Sequence, residues 1–130
     1  DNFDVIFNID ESVKKVRIPK LLLQPIVENA VFHGLEPKGG MGTVIVNAWT
    51  DGRDLITEVI DDGIGMSEEQ IRNIFIKQES VENRGHHIGL KNINERLKLY
   101  FGEQYGLTVE SEEGVGVKVT VRVPFQEIQK

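Results

Sequence analysis

The sequence predicts an α+β fold of the two-layer sandwich type, and three observations carry that prediction. The chain opens on a period-two alternation, two later stretches alternate on either side of a short polar turn, and segments with helical spacing are interleaved with them. The resulting order is strand, helix, hairpin, two helices, hairpin. With 130 residues the chain fits one domain, residues 1–130, and is long enough to bury a real core.

The elements follow in chain order. Phe3, Val5, Phe7 and Ile9 alternate with mostly polar neighbours, which predicts a strand with one buried face. RIPKLLLQPIVENAVFHGLEPKGG then reads as a helix in its middle, ending near His33, with Gly34 placed as a left-handed cap. Pro25 marks the start of that helix or a kink in it, because proline lacks the N–H that an interior turn uses. TVIVNAWTDGRDLITEVID gives two runs joined around Asp51 and Gly52, a hairpin signal. SEEQIRNIF is a short helix with Ser67 as N-cap and Gln70 three residues on, a capping box. From Gln78 to His87 the chain is polar and without period, so a mobile loop is expected there. In IGLKNINERLKLYFG the residues Leu90, Ile93, Leu97 and Phe101 follow helical spacing, and Gly102 stops the helix. LTVESEEGVGVKVTVRVPF closes the fold as a second hairpin. Val115, Val117, Val119, Val121 and Val123 are expected on one face, with Gly116, Lys118, Thr120 and Arg122 on the other.

Composition narrows the function classes. The chain is 39% hydrophobic and 28% charged, and no apolar run approaches the roughly 20 residues of a membrane span. A net charge of −6 and a pI near 5.1 argue against nucleic-acid binding, which normally needs a basic face. The absence of cysteine removes disulfides, thiolate zinc sites and cysteine nucleophiles. The chain opens DNFDVIF without a methionine, so a domain excised from a longer protein is expected.

Three segments hold residues that a core alone does not explain. VIDDGIGM delivers Asp61 to the end of a strand in front of Gly63 and Gly65; it reads as an acidic turn, or as a site whose glycines let backbone approach a planar ligand. A calcium loop fails there because Ile60 falls on a ligand position, and a third glycine for a dinucleotide motif is missing. On the first helix Glu28, Asn29 and His33 share roughly one side, which is either a solvated face or a set of oxygen ligands suited to Mg²⁺. RGHHIGL feeds a helix whose free N–H groups and positive dipole end suit a phosphate. Vicinal His86 and His87 point apart in an extended loop and make a poor zinc site.

Taken together, LLLQPIVENAVFHG resembles the N-box, VIDDGIGM the G1 box and RGHHIGLKNINERL the G2 box of the GHKL ATP-binding superfamily. Within it, LQPIVENAVFHG and GLKNINERLKLYFG resemble the LytS/YesM-type sensor histidine kinases. The resemblance spans about residues 3 to 125. It implies the Bergerat fold, a mixed and mostly antiparallel sheet packed by about three helices, with ATP and Mg²⁺ between the helical layer and a flexible lid. Asp61 is then the acceptor of the adenine amino group, with Gly63, Gly65 and Met66 shaping the adenine pocket. Asn29 is the Mg²⁺ ligand, Glu28 orients a water or assists the phosphoryl acceptor, and His33 lies near the phosphates. Gly85, His87, Ile88 and Gly89 form the lid hinge, and Leu90, Lys91 and Asn92 follow it with further contacts.

The implied role is phosphorylation of a histidine on a separate dimerisation domain, with a response regulator downstream. The isolated domain is expected to bind ATP with little turnover and to be the cytoplasmic portion of a membrane-anchored receptor. The rival readings are another GHKL ATPase, an anti-sigma or serine-kinase module, or a nucleotide-free interaction domain. Two departures bear on them: His87 stands where the family's G2 box has glycine, and Val117 where many members have threonine.

Overall fold

The computed structural model describes residues 3–13, 20–76 and 89–125. Among them, five strands form one sheet. β1 (Phe3–Ile9) runs parallel to β2 (Gly42–Thr50), and from there β3 (Asp54–Asp61), β5 (Gly116–Pro124) and β4 (Gly106–Glu112) follow as antiparallel neighbours. The sheet is therefore mixed and mostly antiparallel, with β3 at its centre. Three helices pack on it: α1 (Lys20–Asn29), α2 (Glu68–Ile76) and α3 (Leu90–Phe101).

Register explains which face is buried. Val44 pairs with Asp61 and Asp61 with Val117, so every second residue along β2, β3 and β5 faces the helices. Val44, Val46 and Ala48 meet Leu55, Val59, Val117, Val119, Val121 and Val123 in one core, closed from above by Ile26, Ala30, Leu35, Leu90 and Leu97. Val115 departs from the expected alternation. It lies in the turn before β5 and is exposed, because the inward-facing series begins only where the ladder does, at Val117. Phe7 departs too: Phe3, Val5 and Ile9 pack against the core, but Phe7 is 59% exposed on an edge strand that has a neighbour on one side only.

The first helix differs most from expectation. α1 runs through Pro25 rather than starting there, and it does not end at a cap on Gly34. It widens instead into a π-helical segment, Ala30–Leu35, and then a 3-10 turn, Glu36–Lys38. The positive-φ residues are Gly39, at φ 82°, whose N–H donates to the Glu36 carbonyl at 3.0 Å, and Gly40, at φ 75°, which donates to Leu35 at 2.8 Å. The remaining caps follow the sequence. Ser67 N–H donates to Gln70 Oε1 at 2.8 Å and Gln70 N–H to Ser67 Oγ at 3.2 Å, and Gly102 N–H closes α3 on Lys98 at 2.9 Å. The loop expected over 78–87 lies outside the described residues.

At the end of the sheet where β2 turns into β3, a buried carboxylate is fully partnered. Asp54 is 5% exposed and accepts from Tyr105 Oη at 2.9 Å and Arg122 Nη1 at 2.9 Å, which ties β3 to β5 and to the chain entering β4. Asp51 shapes the turn, accepting from the N–H groups of Arg53 and Asp54 at 3.0 and 2.8 Å and from Arg122 at 3.1 Å. Those amides, with the guanidinium, hold the Asp51 carboxyl down to about 2. Two outcomes are expected. Tyr105→Phe, which leaves one oxygen of Asp54 short of a donor, lowers unfolding free energy in urea by about 1–2 kcal/mol. A carboxyl lowered in the folded state stabilises above its unfolded value and loses that contribution as pH falls from about 4 through about 2. The stability difference between wild type and Asp51→Ala therefore shrinks across that interval in acid titrations.

Candidate functional site

β3 ends by turning Asp61 toward the helices, where the carboxylate is 5% exposed. It fits because two bare backbones meet there. A Cβ on Gly34 would stand 2.5 Å from Asp61 Oδ1, and a Cβ on Gly63 would overlap the Gly34 backbone. Gly34 is thus glycine for its closeness to Asp61, not for a left-handed cap. Gly63 N–H donates to Asp61 Oδ1 at 2.9 Å, which fixes the carboxylate against rotation.

The turn that follows is pinned on all sides. Ile64 N–H donates to the Gly34 carbonyl at 3.1 Å, and Gly114 N–H donates back to Ile64 at 2.7 Å. Met66 N–H donates to Ser111 Oγ at 2.7 Å, and that hydroxyl donates in turn to the Gly116 carbonyl at 2.6 Å. Gly65 has φ 76°, and a Cβ on it would overlap Glu112. The two motif glycines were expected to admit a ligand. What they admit is the protein's own backbone, which makes the wall of the site rigid.

Burial pushes the Asp61 carboxyl above its ordinary range, opposed by the N–H groups of Gly63 and Val117; Asp62 adds to the rise and Lys38 opposes it. A carboxylate has about four lone-pair sites, so Asp61, with the amides of Gly63 and Val117 on it, retains acceptor capacity for a ligand donor, and its desolvation makes an unmatched ligand costly.

Asn29, the last residue of α1, is 4% exposed and its carboxamide makes no hydrogen bond among the described residues. Buried polar side chains are almost always satisfied, which makes this carboxamide a candidate ligand group. It stands five residues before Gly34, roughly 7 Å along the helical run. Glu28 is half-buried and accepts from Gln24 Nε2 at 3.2 Å. Leu90 is in the core, Lys91 lies 4.0 Å from Glu95, and Asn92 is exposed one turn into α3. Gly89 is the left-handed N-cap of α3 at φ 59°. Gly85, His87 and Ile88, like the His33 side chain, lie outside the described residues.

Asp61, Gly63, Gly65 and Met66 are therefore one constellation with Gly34, and Asn29 stands next to it on the same helical run. Ser111, Lys38 and Asp62 were missed or set aside in the sequence. Ser111 had a signal, as the hydroxyl in the inward series Leu107, Val109, Ser111. Asp62 is exposed, yet its Oδ1 accepts from Thr43 N–H at 2.8 Å.

The fold, three helices on a mixed five-stranded sheet, resembles that of histidine kinase catalytic domains. The nucleotide-free catalytic domain of the histidine kinase ThkA superposes with a TM-score of 0.71 at 20% identity, covering 95% of this chain and 80% of that one. The histidine kinase domain of the blue-light activated kinase of Erythrobacter litoralis EL346 gives 0.60 at 20% identity, covering 98% of this chain and 57% of that one. The chain belongs to the histidine kinase-, DNA gyrase B- and HSP90-like ATPase family, whose model matches residues 15–127. It is 37% identical over 126 residues to the sensor histidine kinase YpdA of Escherichia coli K12, 97% of this chain and 21% of that protein. It is 38% identical over 117 residues to the sensor histidine kinase YesM of Bacillus subtilis 168, 90% of this chain and 19% of that protein. The chain thus spans about a fifth of the length of these relatives.

The site makes a signed prediction about stability. A carboxyl raised in the folded state binds its proton more readily there than in the unfolded chain, so its ionised form costs stability increasingly as pH rises through the raised value. Asp61→Asn, which keeps an oxygen for Gly63, is expected to match or exceed the wild-type melting temperature at pH 7, with the gain shrinking toward pH 4. Gly34→Ala is expected to lose about 1–3 kcal/mol in urea unfolding, the ordinary cost of an overpacked contact.

Proposed function

We propose that this domain binds ATP with Mg²⁺ and is the catalytic domain of a sensor histidine kinase. The observation that carries the proposal is Asp61, buried at the end of the central strand and held by Gly63. Asp61 accepts from the exocyclic amine of adenine, and Gly63, Gly65 and Met66 form the wall beside the base. A purine with a carbonyl in that place leaves the carboxylate unpaired and is rejected.

Asn29 is the protein ligand for Mg²⁺, and its buried carboxamide, without a partner among the described residues, fits that use. When bound, Mg²⁺ neutralises phosphate charge and needs only one or two protein ligands besides phosphates and water. Glu28 orients a water or assists the phosphoryl acceptor, and His33 lies toward the phosphates. Gly85, His87, Ile88 and Gly89 supply lid amides to the phosphates, and Leu90, Lys91 and Asn92 continue from them into α3. The N-terminus of a helix favours an anion there.

Phosphoryl transfer to a histidine on a neighbouring dimerisation domain is then mainly positioning and charge neutralisation. That acceptor domain and a response regulator are the proposed partners, and the similarity to the sensor histidine kinases YpdA and YesM supports both. Among the described residues no helix is long and apolar enough to cross a membrane. The proposed setting is the cytoplasmic portion of a membrane-anchored receptor, as the likeness to the LytS-type sensors suggests.

Calorimetric titration of the domain with ATP and Mg²⁺ is expected to show saturable binding, and Asp61→Asn to weaken it at least about tenfold. Equal binding by that variant contradicts the adenine assignment. Asn29→Ala is expected to remove most of the Mg²⁺ dependence while leaving binding of the nucleoside moiety. Mixed with a separate dimerisation segment and γ-labelled ATP, the domain is expected to place label on histidine; label on serine would favour the protein-serine kinase branch of the family.

A further inference from the structure

We infer that Lys38 is a positioning residue for nucleotide recognition, holding from outside the peptide that orients Asp61. This deepens the ATP reading and rests on Asp61 being the group that meets adenine.

The peptide unit joining Asp62 to Gly63 has a partner at each end. Its carbonyl oxygen accepts from Lys38 Nζ at 2.9 Å, and its N–H donates to Asp61 Oδ1 at 2.9 Å. Because the unit is planar and trans, its C=O and N–H point in opposite directions, and holding one aims the other. An ammonium on the oxygen also polarises the group and makes the N–H a stronger donor. Asp61 is thus clamped through one rigid plane by a charge on its far side.

That plane needs an external hold. Gly63 has no side chain to restrict the torsions on its side of the peptide. On the other side, Asp62 is anchored to β2, its N–H donating to the Thr43 carbonyl at 3.3 Å and its Oδ1 accepting from Thr43 N–H at 2.8 Å. The carbonyl of Asp62 is the remaining polar group of that residue, and Lys38 takes it. Burial does not force this contact, since Lys38 is exposed and an exposed lysine ordinarily keeps its head in water. Its backbone is fixed by the 3-10 turn and the left-handed Gly39 that follows. The helical run that carries Asn29 and Gly34 therefore ends in the residue that aims Asp61, which joins the two halves of the site mechanically.

The test uses calorimetry with Mg²⁺ and two nucleotides, ATP and purine riboside 5′-triphosphate, which lacks the 6-amino group. Lys38→Met is expected to weaken ATP roughly five- to tenfold, the scale of a charge-assisted hydrogen bond acting through one peptide, and the amine-free analogue by no more than about twofold. Lys38→Arg, which restores a cationic donor, is expected to recover most of the ATP affinity. An equal loss for both nucleotides would assign Lys38 to general attraction of the triphosphate and overturn the inference, as would no loss for either. Asp61→Asn measured alongside separates the two layers. If it loses ATP while Lys38→Met does not, the Lys38 inference alone fails; if it binds ATP like wild type, the adenine reading beneath it fails.

Discussion

An ionisable group kept from water must be partnered in the fold or by a ligand, and Asp61 is such a group at the end of the central strand. The surrounding chain is arranged around its carboxylate. Gly34 gives up a side chain so that the helical run can lie against it, and Gly63 gives up another so that the turn can pass under that run. The carbonyl of Gly34, freed for use outside its own helix, takes Ile64 N–H, and the β4–β5 turn answers through Gly114 and Ser111. Asp61 is held by the amides of Gly63 and Val117, with no cationic partner bonded to it among the described residues.

The two ends of the sheet treat a buried aspartate in opposite ways. Asp54 is saturated by Tyr105 and Arg122 and locks the far end, whereas Asp61 keeps acceptor capacity in reserve. One polar row crosses the face away from the helices. Asn8 donates to Asn47 at 3.0 Å, Asn47 to Glu58 at 3.2 Å, and Lys118 bridges Glu58 and Glu110 at 3.6 and 3.5 Å, so one chain of side chains crosses all five strands of the sheet.

Much of this was readable in the letters, and the reasons differ by element. Period-two patterning found the hairpins because their registers bury one face cleanly, and the Ser67/Gln70 box found α2 because both halves of a local motif lie within one turn. Phe7 misled because alternation reports a face, not whether anything covers it at a sheet edge. Gly34 misled for a deeper reason. A glycine after an apolar helical stretch looks like a cap, yet its cause here is a side chain 27 positions away in sequence, and no local rule contains that distance. Asp61, Gly63 and Asn29 were found as residue types in a motif; that the glycines serve backbone contact, and that Asn29 is buried without a described partner, required the packed structure. Lys38 carried no signal, since an exposed lysine bonded to a carbonyl 24 residues on resembles any other.

The central claim is that ligand binding satisfies Asp61 on the helix side of the sheet, and backbone amide resonances test it most directly. In a titration with adenine nucleotide and Mg²⁺, the account predicts that the largest shifts fall on Gly63, Gly34 and the Asn29 region, while Asp54 and Tyr105 at the far end stay still. Shifts confined to residues whose side chains lie on the other face of the sheet, such as Ile45, Ile60 and Lys118, with Gly63, Gly34 and Asn29 unmoved, would contradict it.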